Sequence, residues 1–194
     1  MNSPISEALL LHATASGLDA QRAKLPQVSA PFRLPNPIGV ASQIAELGGS
    51  IITMGDEYLF HAGAVGPQEH AVHAAEALAS AIGSVAQAAS ALHTVAQQIA
   101  FVTRTAGKRG DAGFEDAHTV AEQMIEFAVE TARDDLSEAA QTLRTAASAI
   151  APPAVKLQRA ALARSPGAPA PTSAPTAIAV PATAAIQRAP ARSH

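Results

Sequence analysis

Cysteine and tryptophan are absent from this 194-residue chain, tyrosine occurs once and phenylalanine five times. Without cysteine there is no disulfide framework and no thiolate-ligated metal centre. So few aromatic side chains leave no stacking platform for nucleic-acid bases, because such platforms set aromatic rings beside basic groups. Three catalytic or nucleotide-binding signatures are missing as well: Gly-x-Ser-x-Gly, Gly-x-Gly-x-x-Gly and Gly-x-x-x-x-Gly-Lys-Ser/Thr. Nucleophilic catalysis and a nucleotide-cradling loop therefore have no support in the sequence, and no cofactor is expected.

What fills the chain instead is alanine, 48 residues of it, about half of the hydrophobic fraction. Each methyl buries little surface, and burial is worth roughly 25 cal/mol per Å², so a conventional core of large side chains is hard to assemble. Alanine, glycine, proline and arginine share GC-rich codons, so the count by itself carries no structural meaning. The positions carry it.

Proline and charge divide the chain at one point. Pro152 and Pro153 close what precedes them, and residues 152–194 hold 8 of the 14 prolines, no acid and no aromatic. Lys156, Arg159, Arg164, Arg188 and Arg192 give this tail a charge of +5, while residues 1–151 sum to −8 from 8 basic and 16 acidic side chains. The composition predicts a helical domain over 1–151 and a basic, Pro/Ala-rich, disordered tail over 152–194. Five charges spread over some forty residues are too sparse for a nucleic-acid arm. The N-terminus has no basic residue before the short run Leu9, Leu10, Leu11, so no secretory signal is read and the expected compartment is the cytoplasm.

Within 1–151 the pattern is helical throughout. Ser3-Pro4 and Asn36-Pro37 each read as an N-cap followed by proline at the first helical position, predicting helices over about 4–22 and 37–48, the second stopped by Gly48 and Gly49. Residues 50–66 are ambiguous: Ile51, Ile52 and Thr53 favour a strand, yet a helical period also runs through them, and helix is the preferred reading. Two long uninterrupted stretches follow, about 67–106 and 114–150. The glycine-rich turn between them makes an antiparallel hairpin within a small all-α bundle.

Heptads support the pairing. Leu78, Val85, Leu92 and Ile99 recur every seven residues with Ala75, Ile82, Ala89 and Ala96 as the expected second seam position. Val129, Leu136, Leu143 and Ile150 recur likewise with Ile125, Ala132, Ala139 and Ala146. Alanine beside leucine in register lets two helix axes approach closely. The first arm is uncharged across the 27 positions 77–103, whereas the second is rich in acids. So the first arm needs cover on more than one side, from this chain or another copy.

These features predict a non-enzymatic helical interaction or structural protein, which self-associates or pairs with a helical partner through the seam residues Leu78, Ile82, Val85, Leu92, Leu136 and Leu143. No small-molecule substrate is evident. A second reading is a metal-binding or metal-dependent bundle that uses Glu69, His73 and Glu76, which share one helix face, or Glu115, His118 and Glu122. A third takes residues 77–103 as membrane-associated, since 27 uncharged residues exceed the ~20 that span a bilayer. Gln87, Gln97, Gln98, His93 and five hydroxyls weigh against it. In outline the hairpin is similar to the small secreted helical hairpins of actinobacterial specialised secretion, which also associate as helical pairs. The likeness is of architecture: the turn over 107–113 lacks Trp-x-Gly and no secretion motif follows in the tail.

Overall fold

A computed structural model describes residues 3–27, 31–63, 68–108 and 112–151. The chain divides into Met1–Pro153 and Ala154–His194, and every described element belongs to the first unit. The expectation of a disordered tail over 152–194 lies outside the described residues.

Among the described residues four helices occur in chain order: α1, Pro4–Ala23; α2, Pro37–Ala62; α3, Glu69–Thr105; and α4, Ala112–Ile150, with a 3-10 turn, Ala106–Lys108, after α3. No strand occurs among the described residues, so the all-α reading holds. The two cap signals act as the sequence suggests. The Ser3 hydroxyl accepts from the Ser6 amide at 3.2 Å. The Asn36 side-chain oxygen accepts from the amides of Ile38 at 2.9 Å and Gly39 at 3.4 Å, satisfying donors that the first turn leaves unpaired.

The long pair α3 and α4 forms the hairpin, α2 packs on α3, and α1 packs on α4. Between α1 and α2 the contact is by side chains: Lys24 Nζ and Gln21 Nε2 both donate to Glu46, at 2.6 and 2.9 Å, and Gln43 Nε2 donates to the Gln21 carbonyl at 2.9 Å. The result is an antiparallel four-helix bundle. Arg144 of α4 pairs with Asp19 of α1, and Arg22 donates to Ser137 at 3.2 Å, fixing the α1–α4 register.

Burial follows heptads on all four helices. Leu11, Leu18 and Leu25 face inward after α1 begins, Val40, Leu47, Met54 and His61 on α2, Leu78, Val85, Leu92 and Ile99 on α3, and Val129, Leu136 and Leu143 on α4. A sustained seven-residue repeat is the pattern of near-parallel, knobs-into-holes packing.

Two sequence expectations change here. Helix α2 does not stop at residue 48 but runs to Ala62, so most of the ambiguous 50–66 stretch is helix. Gly48 and Gly49 adopt ordinary helical backbone, and a Cβ at either would meet nothing within 4 Å. Interior glycine costs about 1 kcal/mol each, and burial of Leu47 and Met54 on the continuing face exceeds that. The second correction concerns α3: beside the Leu78 row the fully buried positions are Ala74, Ala81, Ala88 and Val95, while Ala75, Ile82, Ala89 and Ala96 lie one residue over and are less buried. Because α3 is packed by α4 on one side and α2 on the other, its buried arc is wider than a two-helix seam.

Candidate functional site

The six seam residues singled out from sequence lie inside the chain's own bundle: Leu78, Val85, Leu92, Leu136 and Leu143 are fully buried and Ile82 packs half-buried against them. Their partners are helices of the same chain. The stretch 77–103 is covered in the same way, by α2 and α4, and no helix among the described residues is long and apolar enough to cross a membrane.

Neither proposed metal set converges. His73 sits 3.8 Å from Glu69 and 3.7 Å from Glu76, all three on the solvated first turns of α3, where acids favour the positive end of the helix dipole. On α4, His118 is buried and its Nε2 lies 2.7 Å from the Thr105 hydroxyl, with the Phe101 ring edge-on at 5.9 Å. Glu115 is exposed and Glu122 half-buried, whereas the imidazole is buried between Thr105 and Phe101 near the hairpin tip. Among the described residues no group of three or more His, Cys, Asp or Glu side chains is arranged to hold a metal ion.

A polar cluster that sequence reasoning missed occupies the opposite end. Glu7 of α1 and His61 of α2 are each 3% exposed. The Glu7 carboxylate lies 3.8 Å from His61 Nδ1 and 3.6 Å from Nε2 of His70, on the first turn of α3. Glu7 Oε2 and His61 Nε2 are buried without a hydrogen-bond partner. One signal in the sequence points to it: His61 stands where the heptad of Val40, Leu47 and Met54 calls for an apolar side chain.

The outer surfaces of the bundle differ sharply in charge. Along α4, Glu126, Glu130, Asp134 and Glu138 are exposed. Asp135, beside them, has its carboxyl held above the ordinary range by burial first and then by Glu138 and Asp134, and its Oδ2 finds no donor. At the α1–α2 edge the reverse holds for Glu46, whose carboxyl is lowered chiefly by the hydrogen bonds from Lys24 and Gln21.

The face formed by α2 and α3 carries acids at one end, Asp56 and Glu57 on α2 with Glu69 and Glu76 on α3, and is uncharged along α3 from residue 77 to 103. Next to the buried α2 row runs a second heptad, turned to solvent: Ile38, Ala45, Ile52 and Leu59, of which Ile38, Ile52 and Leu59 are 79%, 67% and 66% exposed. Between this crest and α3 the positions Ala41, Gly48, Gly55 and Ala62 repeat at the same spacing, all small. The α3 side answers with Val72, Ala79, Gly83 and Ala86, also exposed. A Cβ at Gly48, Gly55 or Gly83 would meet nothing within 4 Å, so nothing inside the chain requires these glycines. The arrangement sets a crest of branched side chains beside a row of small residues with open space above the glycines. Such a surface can receive a helix at short axial distance.

Compared with protein-family models, with curated proteins and with solved structures, the chain matches none.

Proposed function

We propose that this is a non-enzymatic helical interaction protein, and that the outer α2/α3 face is the surface by which it docks a helix. The observation that carries the reading is the exposed heptad of Ile38, Ile52 and Leu59 beside the open glycines Gly48, Gly55 and Gly83. Large aliphatic side chains in register on a solvent face are unusual for a self-contained bundle, since a surface helix ordinarily turns its polar side outward. Glycine inside a helix costs about 1 kcal/mol relative to alanine. Here that cost has no return inside the chain, whereas close approach of another helix supplies one. The hairpin seam read from sequence forms the core of the bundle that carries this face. Recognition then rests on shape, knobs and holes at fixed spacing, rather than on a pocket with convergent polar groups.

A photo-crosslinking residue placed at Ile52, compared with one at Glu130 on the acidic side, tests the reading in cells. The expected outcome is a discrete protein adduct from position 52 and none from 130, with the crosslinked peptide mapping to a helix. No adduct at 52, or the same diffuse adducts from both positions, overturns it.

A further inference from the structure

We infer that the helix docked on the α2/α3 face belongs to a second copy of this chain, related by a two-fold axis that crosses the face near Gly48 and Gly83. The inference rests on the docking reading above and goes on to name the partner.

Self-complementarity is the first argument. An isologous interface needs a surface that carries its own knobs and its own holes, and this face has both. The crest residues 38, 45, 52 and 59 are spaced symmetrically about a point between 48 and 49. An antiparallel copy turned about that point brings Ile38 opposite Leu59 of the second copy and Ala45 opposite its Ile52. Large meets small beside the centre, and at the centre the chain places glycine. Carrying the antiparallel register back from the α2–α3 connection sets Gly48 about level with Gly83, so glycine stands on both helices where two copies come closest.

Charge gives the second argument. Residues 1–151 carry a net −8, and α4 holds 8 of the 16 acids against two arginines, so two copies meeting through α4 repel. The α2/α3 face lacks charge from residue 77 to 103 on α3, and its acids, Asp56 and Glu57 on α2 with Glu69 and Glu76 on α3, gather at the Leu59 end, which an antiparallel copy sets against the uncharged Ile38 end. It is the side on which two like-charged bodies can approach, with no requirement for a basic partner.

Size is the third. From Ile38 to Leu59 the face runs about 32 Å at 1.5 Å per residue, and two helices side by side are about 20 Å across. That is on the order of 600 Å² for each copy, or roughly 1,300 Å² in all, above the roughly 1,000 Å² expected of a specific interface.

Sedimentation equilibrium on the full chain, with single-cysteine variants, is the test. The absence of native cysteine makes the second measurement clean. Expected is a concentration-dependent monomer–dimer equilibrium, weakened at least tenfold by Ile52→Asp with the far-ultraviolet circular dichroism unchanged. Gly48→Cys near the axis should oxidise to a disulfide dimer far faster than Gly17→Cys, which lies exposed on α1. A monomer up to about 100 µM, or equal oxidation of the two cysteine variants, overturns the inference. An Ile52 crosslink to a different protein removes the second copy but keeps the docking face, whereas an Ile52 probe that captures nothing removes both.

Discussion

Replacing Gly48, Gly55 and Gly83 together by alanine separates the stability of the fold from the use of its outer face. At each site the backbone is helical and a new Cβ would have no heavy atom within 4 Å, so the methyl neither clashes nor gains packing. Its effect comes from the unfolded chain, which has fewer conformations to lose with alanine than with glycine. That is worth about 0.5–1 kcal/mol per site. Three separated sites sum to roughly 1.5–3 kcal/mol, and for a body of this size the expected rise in Tm is about 3–12 °C. Urea unfolding followed by circular dichroism, at a concentration low enough to keep copies apart, measures it, with an unchanged denaturant slope as the sign that only stability moved. On the α1 side Gly17→Ala is the control, since its Cβ is equally free: it should stabilise by the single-site amount and leave association untouched. Gly63 supplies the contrast, because a Cβ there would sit 3.1 Å from the Leu59 carbonyl oxygen and alanine should not help. The triple variant should fold more tightly and dimerise less well. Loss of stability refutes the conformational argument. Undiminished dimerisation refutes the idea that these glycines exist for close approach.

Two further outcomes concern Asp135 and the buried Glu7–His61 pair. Asp135 has a folded-state carboxyl raised by burial and by Glu138 and Asp134, so the folded chain holds that proton more tightly than the unfolded one. Its contribution therefore weakens stability as pH rises out of the carboxylate range. Asp135→Asn should flatten that part of the stability–pH curve and leave the protein no less stable at neutral pH, as measured by urea midpoints across pH 4–7; a loss at neutral pH refutes it. At the other end of the bundle, His61→Leu alone leaves the buried Glu7 carboxylate facing only His70 and should cost on the order of 3 kcal/mol. Glu7→Leu with His61→Leu removes both members, and the pair should cost clearly less than the sum of the two single variants; additive losses in a double-mutant cycle would mean the groups are not coupled.

The fold was legible where apolar periodicity is the only cause of structure. Leu78, Val85, Leu92 and Ile99, with Val129, Leu136 and Leu143, place α3 and α4 without any knowledge of their neighbours, because a seven-residue repeat fixes which side faces in. Helix α2 was half legible. Gly48-Gly49 is a valid stop signal on local grounds, and the signal fails because Leu47, Met54 and His61 continue a buried row that a local reading cannot weigh against it. The α3 seam was misplaced by one residue for a related reason: a helix packed on two sides buries an arc, and its second boundary depends on where α2 lies. Glu7, His61 and His70 come from three helix ends, and only the antiparallel turns bring both histidines within 4 Å of Glu7.

The same limits explain why the residues chosen for association line the chain's own interior. An uncharged helix of 27 positions does need cover on more than its hairpin side, and α2 supplies only one further flank. The strongest heptad in the sequence had to become the core, since a chain this poor in large side chains spends them first on its own interior. A weaker repeat, Ile38, Ala45, Ile52 and Leu59, is what was left to face outward, and it is hidden in the sequence because one member is alanine and the row beside it, Ala41, Gly48, Gly55 and Ala62, is all small. Read locally, glycine in a helix is a stop or a defect. Placed beside an exposed aliphatic row with open space above it, it becomes the floor on which a second helix can rest.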